Sequence, residues 1–406
     1  MHGITASLGL AQAVAAYLPE IVVADLVANS LQAQGSPSLL VEPRCFDAVT
    51  MMVDITGFTP LCEALAKKGR EGAEQVTELI NSFFAQALRP VQEQGGVIAK
   101  FGGDAFNAFF ARREGESWDE VLQRALYSAF ALQALVLDYE GLRLPAEKEG
   151  EAQLFRLYAK VGLSAGAILT FGVGTPDRHC DFQVAGASFN EAAEAEHHAS
   201  RGEIVLHQNF LGQSSTLQEQ ILRGERRETC YPAHALHTPT PAALPAPYDL
   251  SVLDATALEQ LLSQAVAFVP QRIYERLALG YLALPGEHRR VISLFVHFTG
   301  FSWIEDPTAP AHFHDYYLAI LEEVERYGGN LNRISSGNKG DLLHIIFGAP
   351  VSHEDDEAQA VRCALALQAV ARRFDYIGSQ KIGLSSGFVF AGDIGSPGRH
   401  EYTIIG

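Results

Sequence analysis

The sequence feature that most constrains the fold is an internal duplication. Residues 162–186 read GLSAGAILTFGVGTPDRHCDFQVAG, and residues 383–406 read GLSSGFVFAGDIGSPGRHEYTIIG. The two stretches share several glycines, an Arg-His pair and a closing apolar run, which chance does not produce over this length. Because self-similarity of this kind marks repeated structural units, we predict that the 406-residue chain contains two copies of one fold.

The first copy shows its secondary structure most clearly. An apolar strand covers 48–53, and a helix with one buried face covers 76–91. Two short strands meet at a Gly-Gly-Asp turn at 102–104, which is typical of a β-hairpin. A second helix at 118–137 and strands within 155–184 follow. This order predicts a ferredoxin-like α+β domain with both helices on one face of the sheet.

The second copy repeats the order, with a strand at 291–296, a helix at 313–327 and a hairpin after it. We therefore predict a chain of four consecutive segments. They are a helical leader at 1–41, a first domain at 42–215, a linker with a proline-rich stretch and a helix at 216–285, and a second domain at 286–406. The last segment stops in mid-motif, so we expect the second domain to be incomplete and further chain, with possible downstream domains, to follow Gly406.

Composition excludes several classes of function. An apolar content of 48% with 19% charged residues indicates a well-buried globular protein. A formal net charge of −18 argues against a nucleic-acid partner, because phosphate neutralisation needs clustered basic residues. The five cysteines are scattered, which suits a reducing compartment and predicts a cytoplasmic protein. The apolar stretch at 7–29 contains Pro19, Glu20 and Asp25, so we expect no integral membrane segment.

Two aspartates suggest chemistry. Asp54 ends the first apolar strand, and Asp104 lies in the hairpin turn. If that strand lies beside the hairpin, both carboxylates reach one end of the sheet, where they repel each other unless a cation separates them. Oxygen ligands and a phosphate substrate favour Mg²⁺ or Mn²⁺. The alternative for either residue alone is a helix cap or a turn former.

The combination of an aspartate before an xTGFT turn, GGD on a hairpin and EYTIIG on a later strand resembles the class III nucleotidyl cyclases. It is most similar to the tandem catalytic domains of soluble, bicarbonate-regulated adenylyl cyclases and their bacterial relatives. The resemblance covers roughly 42–210 and 286–406. It implies two domains packed head to tail as a pseudo-symmetric pair, with the active site at their interface.

The resemblance also implies roles for residues of the first domain. Asp54 and Asp104, with the backbone carbonyl of Ile55, are implied to bind two Mg²⁺ or Mn²⁺ ions. The turn that follows is implied to cradle the phosphates of the substrate with backbone N–H groups at a helix N-terminus, a place that favours anions on physical grounds. This turn consists of Thr56, Gly57, Phe58 and Thr59.

Substrate recognition is implied at three further positions. Lys160 matches a basic residue that binds the triphosphate, whereas Lys339 and Thr403 match the pair that reads adenine. Guanylyl cyclases of this type carry Glu and Cys at the last two positions. The resemblance therefore implies an adenylyl cyclase that converts ATP to 3′,5′-cyclic AMP and pyrophosphate at one site, and a guanylyl cyclase is disfavoured. The other alternative is a catalytically degenerate pair of domains that senses nucleotides.

The two copies are not equivalent. His297 stands where the first copy has its first metal-binding aspartate, although Asp341 remains at the second position. Glu194 takes the place of the family's transition-state arginine, and an acid there would repel a triphosphate. We therefore expect the second pocket to be degenerate. Lys100 faces that pocket and resembles a bicarbonate-binding lysine, but the arginine that partners it in the family is missing.

His197 and His198 are a further possible metal-binding pair. Adjacent residues do not share one face of a helix, and the two histidines lie in a run that is predicted to be helical. We therefore do not predict a metal site from these histidines.

Overall fold

The computed structural model describes most of the chain. Its described residues are 2–31, 42–66, 69–139, 142–145, 152–221, 225–233, 241–281, 286–337 and 340–406. The strands are β1 (Arg44–Thr56), β2 (Gly96–Gly102), β3 (Ala105–Ala111), β4 (Leu142–Pro145), β5 (Ala152–Phe155), β6 (Tyr158–Gly174), β7 (Cys180–Ala185), β8 (Ile204–His207), β9 (Cys230–Pro232), β10 (Glu287–Thr299), β11 (Asn330–Gly337), β12 (Gly340–Phe347), β13 (Ser379–Ser396) and β14 (Arg399–Ile405).

The helices lie between these strands and in the leader. They are α1 (His2–Ala15), α2 (Glu20–Leu31), α3 (Phe58–Ala66), α4 (Arg70–Ala87), α5 (Arg89–Glu93), α6 (Trp118–Leu137), α7 (Ala187–His198), α8 (Gln208–Leu211), α9 (Ser215–Ile221), α10 (Ala255–Ala265), α11 (Gln271–Ala278), α12 (Ala309–Arg326) and α13 (Asp356–Ala371). Within the described part of the chain, no helix has both the length and the apolar character needed to cross a bilayer.

The first sheet is organised around β1. Its strand order is β2-β3-β1-β6-β8-β9, and β7 pairs with β6 outside this path. Strand β1 runs antiparallel to both β3 and β6. The first strand therefore lies beside the hairpin, which is the condition that the two-aspartate prediction needs.

The second sheet repeats this arrangement, with the order β11-β12-β10-β13-β14. Strand β10 lies between β12 and β13 as β1 lies between β3 and β6. Each sheet packs against helices of its own repeat, and α4 of the first repeat also packs against β13 of the second. The predicted α+β fold with duplicated units is confirmed.

The core of the first domain follows from alternation along β1. Val49, Met51, Val53 and Ile55 are fully buried on one face of the strand, because successive side chains of a strand point to opposite faces. They form one apolar cluster with residues of α4 and α6, including Phe84. Burying each large apolar side chain contributes about 2 kcal/mol, so this face fixes the register of the strand that ends at the site.

A buried arginine joins the two repeats and the leader. Arg399, at the start of β14, is fully buried. Its guanidinium donates to the carbonyls of Ile98 (3.1 Å) and Ala99 (3.2 Å) in β2 and of Tyr17 (3.2 Å) after α1. The carboxylate of Glu401 forms an ion pair with the same group. One side chain of β14 thus satisfies backbone acceptors in two other segments of the chain, β2 and the residue that follows α1 by two positions.

The region 216–285, which was predicted as a linker, contributes secondary structure that packs on its neighbours. Strand β9 lies within this predicted linker and joins the first sheet by pairing with β8. Its residues Cys230 and Tyr231 are buried there. Helix α10 packs against α1 and α2 of the leader. In addition, the strand that was predicted from 155 is divided between β5, which ends at Phe155, and β6, which begins at Tyr158.

The matching strands β6 and β13 differ in how they are covered. Strand β6 pairs with β8 and packs against α7, and its residue Leu163 is fully buried. At the corresponding place in β13, Leu384 is 43% exposed, and the nearby Phe388 is 78% exposed. The most similar stretches of sequence therefore have different surroundings.

Candidate functional site

The two predicted aspartates lie at one end of the first sheet. Asp54, near the end of β1, is paired in register with Ala105 of β3 and with Lys160 of β6. Asp104 occupies the turn between β2 and β3, and its backbone carbonyl accepts a hydrogen bond from the N–H of Ile55 (3.2 Å). The strand pairing and this bond place both residues at the same sheet end.

The electrostatics of the pair show that the carboxylates interact. Burial and the neighbouring charge of Asp54 raise the pKa of Asp104 to about 6. The pKa of Asp54 is also raised, by burial and by the carboxylate of Glu196, whereas the ammonium group of Lys160 opposes this shift. Two half-buried carboxyl groups with raised pKa values are a set of oxygen donors that a divalent cation would stabilise as carboxylates.

The predicted phosphate-binding turn connects β1 to α3. Gly57 has a φ of 114°, and a Cβ added to it would meet the carbonyl oxygen of Arg156 at 2.4 Å, so only glycine fits. Phe58 begins α3 and is fully buried. The hydroxyl of Thr59 donates to the Asp104 carboxylate at 3.5 Å, whereas the hydroxyl of Thr56 donates to the carbonyl of Tyr158 at 3.4 Å. The turn therefore brings the start of α3 to the Asp104 side chain.

Lys160 forms an ion pair within the first domain. Its ammonium nitrogen lies 2.6 Å from the Glu196 carboxylate of α7, and both side chains are about one-fifth exposed. Glu196 was not predicted as a site residue, because an acid on a helix is usually an exposed side chain. Its carboxylate is the partner of the Lys160 ammonium group in this structure.

The second domain brings Thr403 to the same region. Thr403 lies in β14, where it pairs with Gly392, and it is only 3% exposed. It lines a cavity of about 370 Å³ together with Gly102 and Gly103 of the turn that contains Asp104. Lys339, the other residue predicted to read adenine, lies outside the described residues.

Three residues that were not predicted also line this cavity, namely Phe295, Arg333 and His344. The rings of Phe295 and His344 stack with centroids 4.4 Å apart and planes within 8°. Burial and the charge of Arg333 lower the pKa of His344 to about 3, so its ring is neutral at physiological pH. Phe295 lies two residues before His297 and on the same face of β10, but an aromatic residue in an apolar strand gives no sequence signal for a site.

The corresponding acid of the second domain has different surroundings. The carboxylate of Asp341 accepts a hydrogen bond from the indole N–H of Trp303 (3.1 Å), and the indole stacks on Phe301 with centroids 4.8 Å apart. Asp341 is 5% exposed, and this burial raises its pKa to about 6. In the first repeat, helix α3 follows β1 and its residue Thr59 contacts Asp104. In the second repeat, the Trp303 side chain contacts Asp341 instead.

Lys100 has an internal partner. Its ammonium group forms an ion pair with Asp181 of β7, and both side chains are nearly buried. The lysine that resembles a bicarbonate-binding residue is therefore neutralised by a carboxylate of its own domain.

A different group of side chains has the composition of a metal site. Among the described residues, Glu194, His198 and Cys230 each offer one ligand atom, and these atoms lie within 4.8 Å of one another. This group includes neither Asp54 nor Asp104, so it is distinct from the predicted magnesium ligands.

Comparisons with known proteins agree with the resemblance that the sequence motifs indicate. No protein-family model matches the chain. It is 26% identical over 402 residues to adenylate cyclase type 10 of Homo sapiens, a match that covers 89% of this chain and 23% of the relative. The mouse protein of the same name, from Mus musculus, is 26% identical over 425 residues, covering 97% of this chain and 24% of that protein. The chain thus spans about a quarter of the length of these relatives.

A solved structure matches almost the whole chain. It is a class III adenylyl cyclase-like ATP-binding protein from Pseudomonas aeruginosa, with a TM-score of 0.57 and 16% sequence identity. The match covers 95% of this chain and 86% of that chain, so it includes both repeats. The protein therefore has the tandem class III cyclase fold, as the sequence motifs predict, and its sequence is similar to that of adenylate cyclase type 10.

Proposed function

We propose that this protein is an adenylyl cyclase that converts ATP to 3′,5′-cyclic AMP and pyrophosphate at one site between its two domains. The observation that carries the proposal is the cavity in which Thr403 of the second domain meets the glycines before Asp104 of the first. Asp54 lies at the same sheet end as Asp104. The relatives described above are named as adenylate cyclases, which supports the reaction class.

Divalent Mg²⁺ or Mn²⁺ fits the residues present. Asp54 and Asp104 are anionic oxygen donors close enough for one to raise the pKa of the other, and the carbonyl of Ile55 is a third oxygen in the same strand end. These three would hold the ions. Bound there, such ions supply a lowered pKa for the attacking ribose hydroxyl and charge neutralisation for the triphosphate.

The chain's own groups position the substrate. The N-terminus of α3 offers backbone N–H groups to a phosphate beside Asp104, and Lys160 lies opposite Asp54 on β6. When a triphosphate binds, the Lys160 ammonium group would exchange Glu196 for a phosphate oxygen. Phosphoryl transfer depends on positioning and charge neutralisation, so the in-line attack of the 3′-hydroxyl needs no nucleophile from the protein.

The base would bind on the second-domain side of the cavity. The hydroxyl of Thr403 and the ammonium group of Lys339 are the proposed readers of adenine, and the flat Phe295–His344 pair offers a surface on which a purine ring would stack. Because this pocket pairs with the Asp54 and Asp104 end of the first domain, a single catalytic site results. The pocket around Asp341 and Trp303 is proposed to be inactive.

One observation favours a second candidate, a nucleotide-sensing pair of domains without turnover. Lys160 is engaged by Glu196, which competes with a triphosphate for the same ammonium group. The Pseudomonas aeruginosa structure is described as a cyclase-like ATP-binding protein. This candidate predicts that ATP binds and that no cyclic product forms.

The deciding experiment measures cyclic AMP and cyclic GMP formed from ATP and GTP, with Mg²⁺ and with Mn²⁺. It uses the 406-residue chain and its Asp104→Asn variant, together with ATP binding by calorimetry. Cyclic AMP that requires Asp104 supports the proposal. Cyclic GMP as the main product would replace it with a guanylyl cyclase, and ATP binding without any product would favour the nucleotide sensor.

A further inference from the structure

We propose that Glu194, His198 and Cys230 form a zinc site in the first domain, separate from the proposed magnesium ligands and independent of the proposed cyclase function. One ligand atom of each residue lies within 4.8 Å of the others. Glu194 and His198 are four residues apart on α7, so their side chains share one helix face. Cys230 begins β9 and is fully buried.

The two elements that carry the ligands are held together by other contacts. Cys230 pairs in register with His207 of β8, so its position is set by the sheet. The guanidinium of Arg227 donates to the backbone carbonyl of His198 at 2.7 Å, which ties the end of α7 to the turn before β9. The ligand side chains are therefore brought together by the fold itself.

Groups around the ligands fit the outer shell of a metal site. The hydroxyl of Thr229 donates to the Glu194 carboxylate, and the carboxylate of Glu228 lies 3.7 Å from a ring nitrogen of His198. Carboxylates and hydroxyls next to metal ligands orient them and tune their basicity. The side chain of Glu228 is mostly exposed.

The donor set selects the metal. A thiolate, an imidazole and a carboxylate are the ligands that zinc prefers, and three protein ligands leave a fourth tetrahedral position for water. Magnesium instead takes six hard oxygen ligands. Tetrahedral zinc bonds of about 2.0–2.3 Å place ligand atoms about 3.5 Å apart, so atoms that lie within 4.8 Å of one another need to approach by no more than about 1.3 Å. On binding, the S–H bond of Cys230 breaks, a sulfur–zinc bond forms and the proton passes to solvent.

The arrangement of the three ligands shows why the sequence did not predict this site. His197 and His198 do not share a helix face, and the structure leaves His197 exposed while His198 faces Glu194 and Cys230. The third ligand is supplied by a strand 32 residues further along the chain, which no local spacing reveals. His197 is consequently a matched control for His198.

A bound ion would act on the helix that contacts the proposed active site. Glu196 lies between Glu194 and His198 on α7 and holds Lys160, which is opposite Asp54. Zinc bound to Glu194 and His198, each two residues from Glu196, would fix the end of α7 and with it the position of the Glu196 carboxylate. This consequence rests on the proposed function, whereas the binding site itself does not.

The test titrates the full chain with Co²⁺ and Zn²⁺ in the presence of excess Mg²⁺. Cobalt bound to a thiolate gives a sulfur-to-metal charge-transfer absorption, which a carboxylate site does not produce. We expect one cobalt per chain with this absorption, its displacement by zinc and a rise in the thermal midpoint with zinc, because a ligand that binds the native state stabilises it.

Variants locate the site. Cys230→Ser should abolish the charge-transfer absorption, and His198→Gln should weaken zinc binding at least tenfold. The controls His197→Gln, Cys363→Ser and Asp104→Asn should bind zinc as the wild type does, and Cys363 is as fully buried as Cys230. If Cys230→Ser fails to fold, His198→Gln decides, since its side chain is partly exposed. No charge-transfer absorption in the wild type, or equal loss in the two histidine variants, would overturn the proposal.

Discussion

Asp104 and Asp341 occupy matching positions in the two repeats, yet their neighbours differ. Asp104 accepts from the Thr59 hydroxyl and is close to a second carboxyl group. Asp341 accepts from the Trp303 indole and is almost completely buried. The neighbours of each carboxylate therefore differ, and under the proposed function only that of Asp104 is available to a cation.

This difference predicts opposite outcomes for one substitution. Under the proposed function, Asp104→Asn removes a proposed anionic metal ligand without changing the shape of the side chain, so cyclic AMP formation should fall by at least about 100-fold. Asp341→Asn should change activity by no more than a few-fold. Product formation is measured by chromatography, and circular dichroism verifies the fold. Equal losses in the two variants would refute the assignment of one catalytic acid pair.

A pH dependence follows from the burial of Asp341. Its pKa of about 6 lies above the value of an unfolded aspartate, so it stabilises the fold when protonated and loses this contribution as the pH rises through about 6. Between about pH 5 and about pH 7.5 the free energy of unfolding of the wild type should fall by about 1.4 kcal/mol relative to Asp341→Asn.

Urea unfolding of both proteins at the two pH values provides the measurement, and the comparison with Asp341→Asn removes the titration of Asp104. Fluorescence in a Trp118→Phe background should report the same titration, because the Trp303 indole donates to Asp341. A pH-independent difference between wild type and variant would contradict the raised pKa.

At the scale of secondary structure elements, the turn between β1 and α3 depends on Gly57. Its φ of 114° and the Arg156 carbonyl at 2.4 Å from an added Cβ predict that Gly57→Ala destabilises the protein by about 3 kcal/mol. Gly115 also has a positive φ of 76°, but an added Cβ would meet no atom of the described chain within 4 Å. Gly115→Ala should therefore cost only about 1 kcal/mol.

Chemical denaturation of both glycine variants checks this difference. A cost for Gly57→Ala no greater than that for Gly115→Ala would show that the turn relaxes, and the close approach to Arg156 would then not be a constraint.

Some elements could be predicted because their signals are local. Helix α6 has the predicted bounds, since Ser117 and Glu120 form a capping box at its start. Asp54 and Asp104 were predicted as site residues because each follows an apolar strand, and the structure places both at one sheet end. Strand β9 was missed because it has three residues and ends in a proline. Its residue Cys230 pairs with His207 of β8, which lies 23 residues earlier in the chain. The local periodicity of the sequence does not predict such long-range contacts.

The rest of the candidate site was hidden for similar reasons. Phe295 and His344 lie in apolar strands, where aromatic side chains ordinarily belong to the core. Glu196 resembles an exposed helix residue, and only the pairing of β6 with β1 brings Lys160 and its partner to Asp54. These assignments depend on three-dimensional neighbours that the sequence order does not disclose.

At the scale of the whole molecule, Arg399 holds the repeats together. Its fully buried guanidinium donates to carbonyls of Ile98, Ala99 and Tyr17 and pairs with Glu401. Arg399→Met removes the donor of these buried carbonyls and the ion-pair partner of the Glu401 carboxylate, which keeps a hydrogen bond from the N–H of Phe101 (3.3 Å), so it should destabilise the protein by about 3–5 kcal/mol.

The repeat offers a matched control at Arg178, which stands where Arg399 stands in the second copy. Its side chain is 40% exposed and lies 3.8 Å from Glu325, so Arg178→Met should cost less than about 1 kcal/mol. Calorimetric unfolding of both variants makes the comparison, and similar costs would show that the buried contacts of Arg399 contribute little.

The uncovered part of β13 predicts how this protein behaves in concentrated solution. Within the described chain, one edge of residues 383–388 has no strand partner, and Leu384 and Phe388 are exposed beside it. An open edge with apolar side chains is a template for pairing with another strand. The 406-residue chain should accordingly aggregate with rising concentration.

Phe388→Lys should reduce this association, because a charged edge residue opposes strand addition. Val252→Lys, at another exposed apolar position (60% exposed), should leave it unchanged. Light scattering over a concentration series compares the wild type with the two variants. Equal aggregation of all three would show that the β13 edge does not cause the association. The stretch that most resembles its repeat partner in sequence would thus limit the concentration at which the protein can be stored.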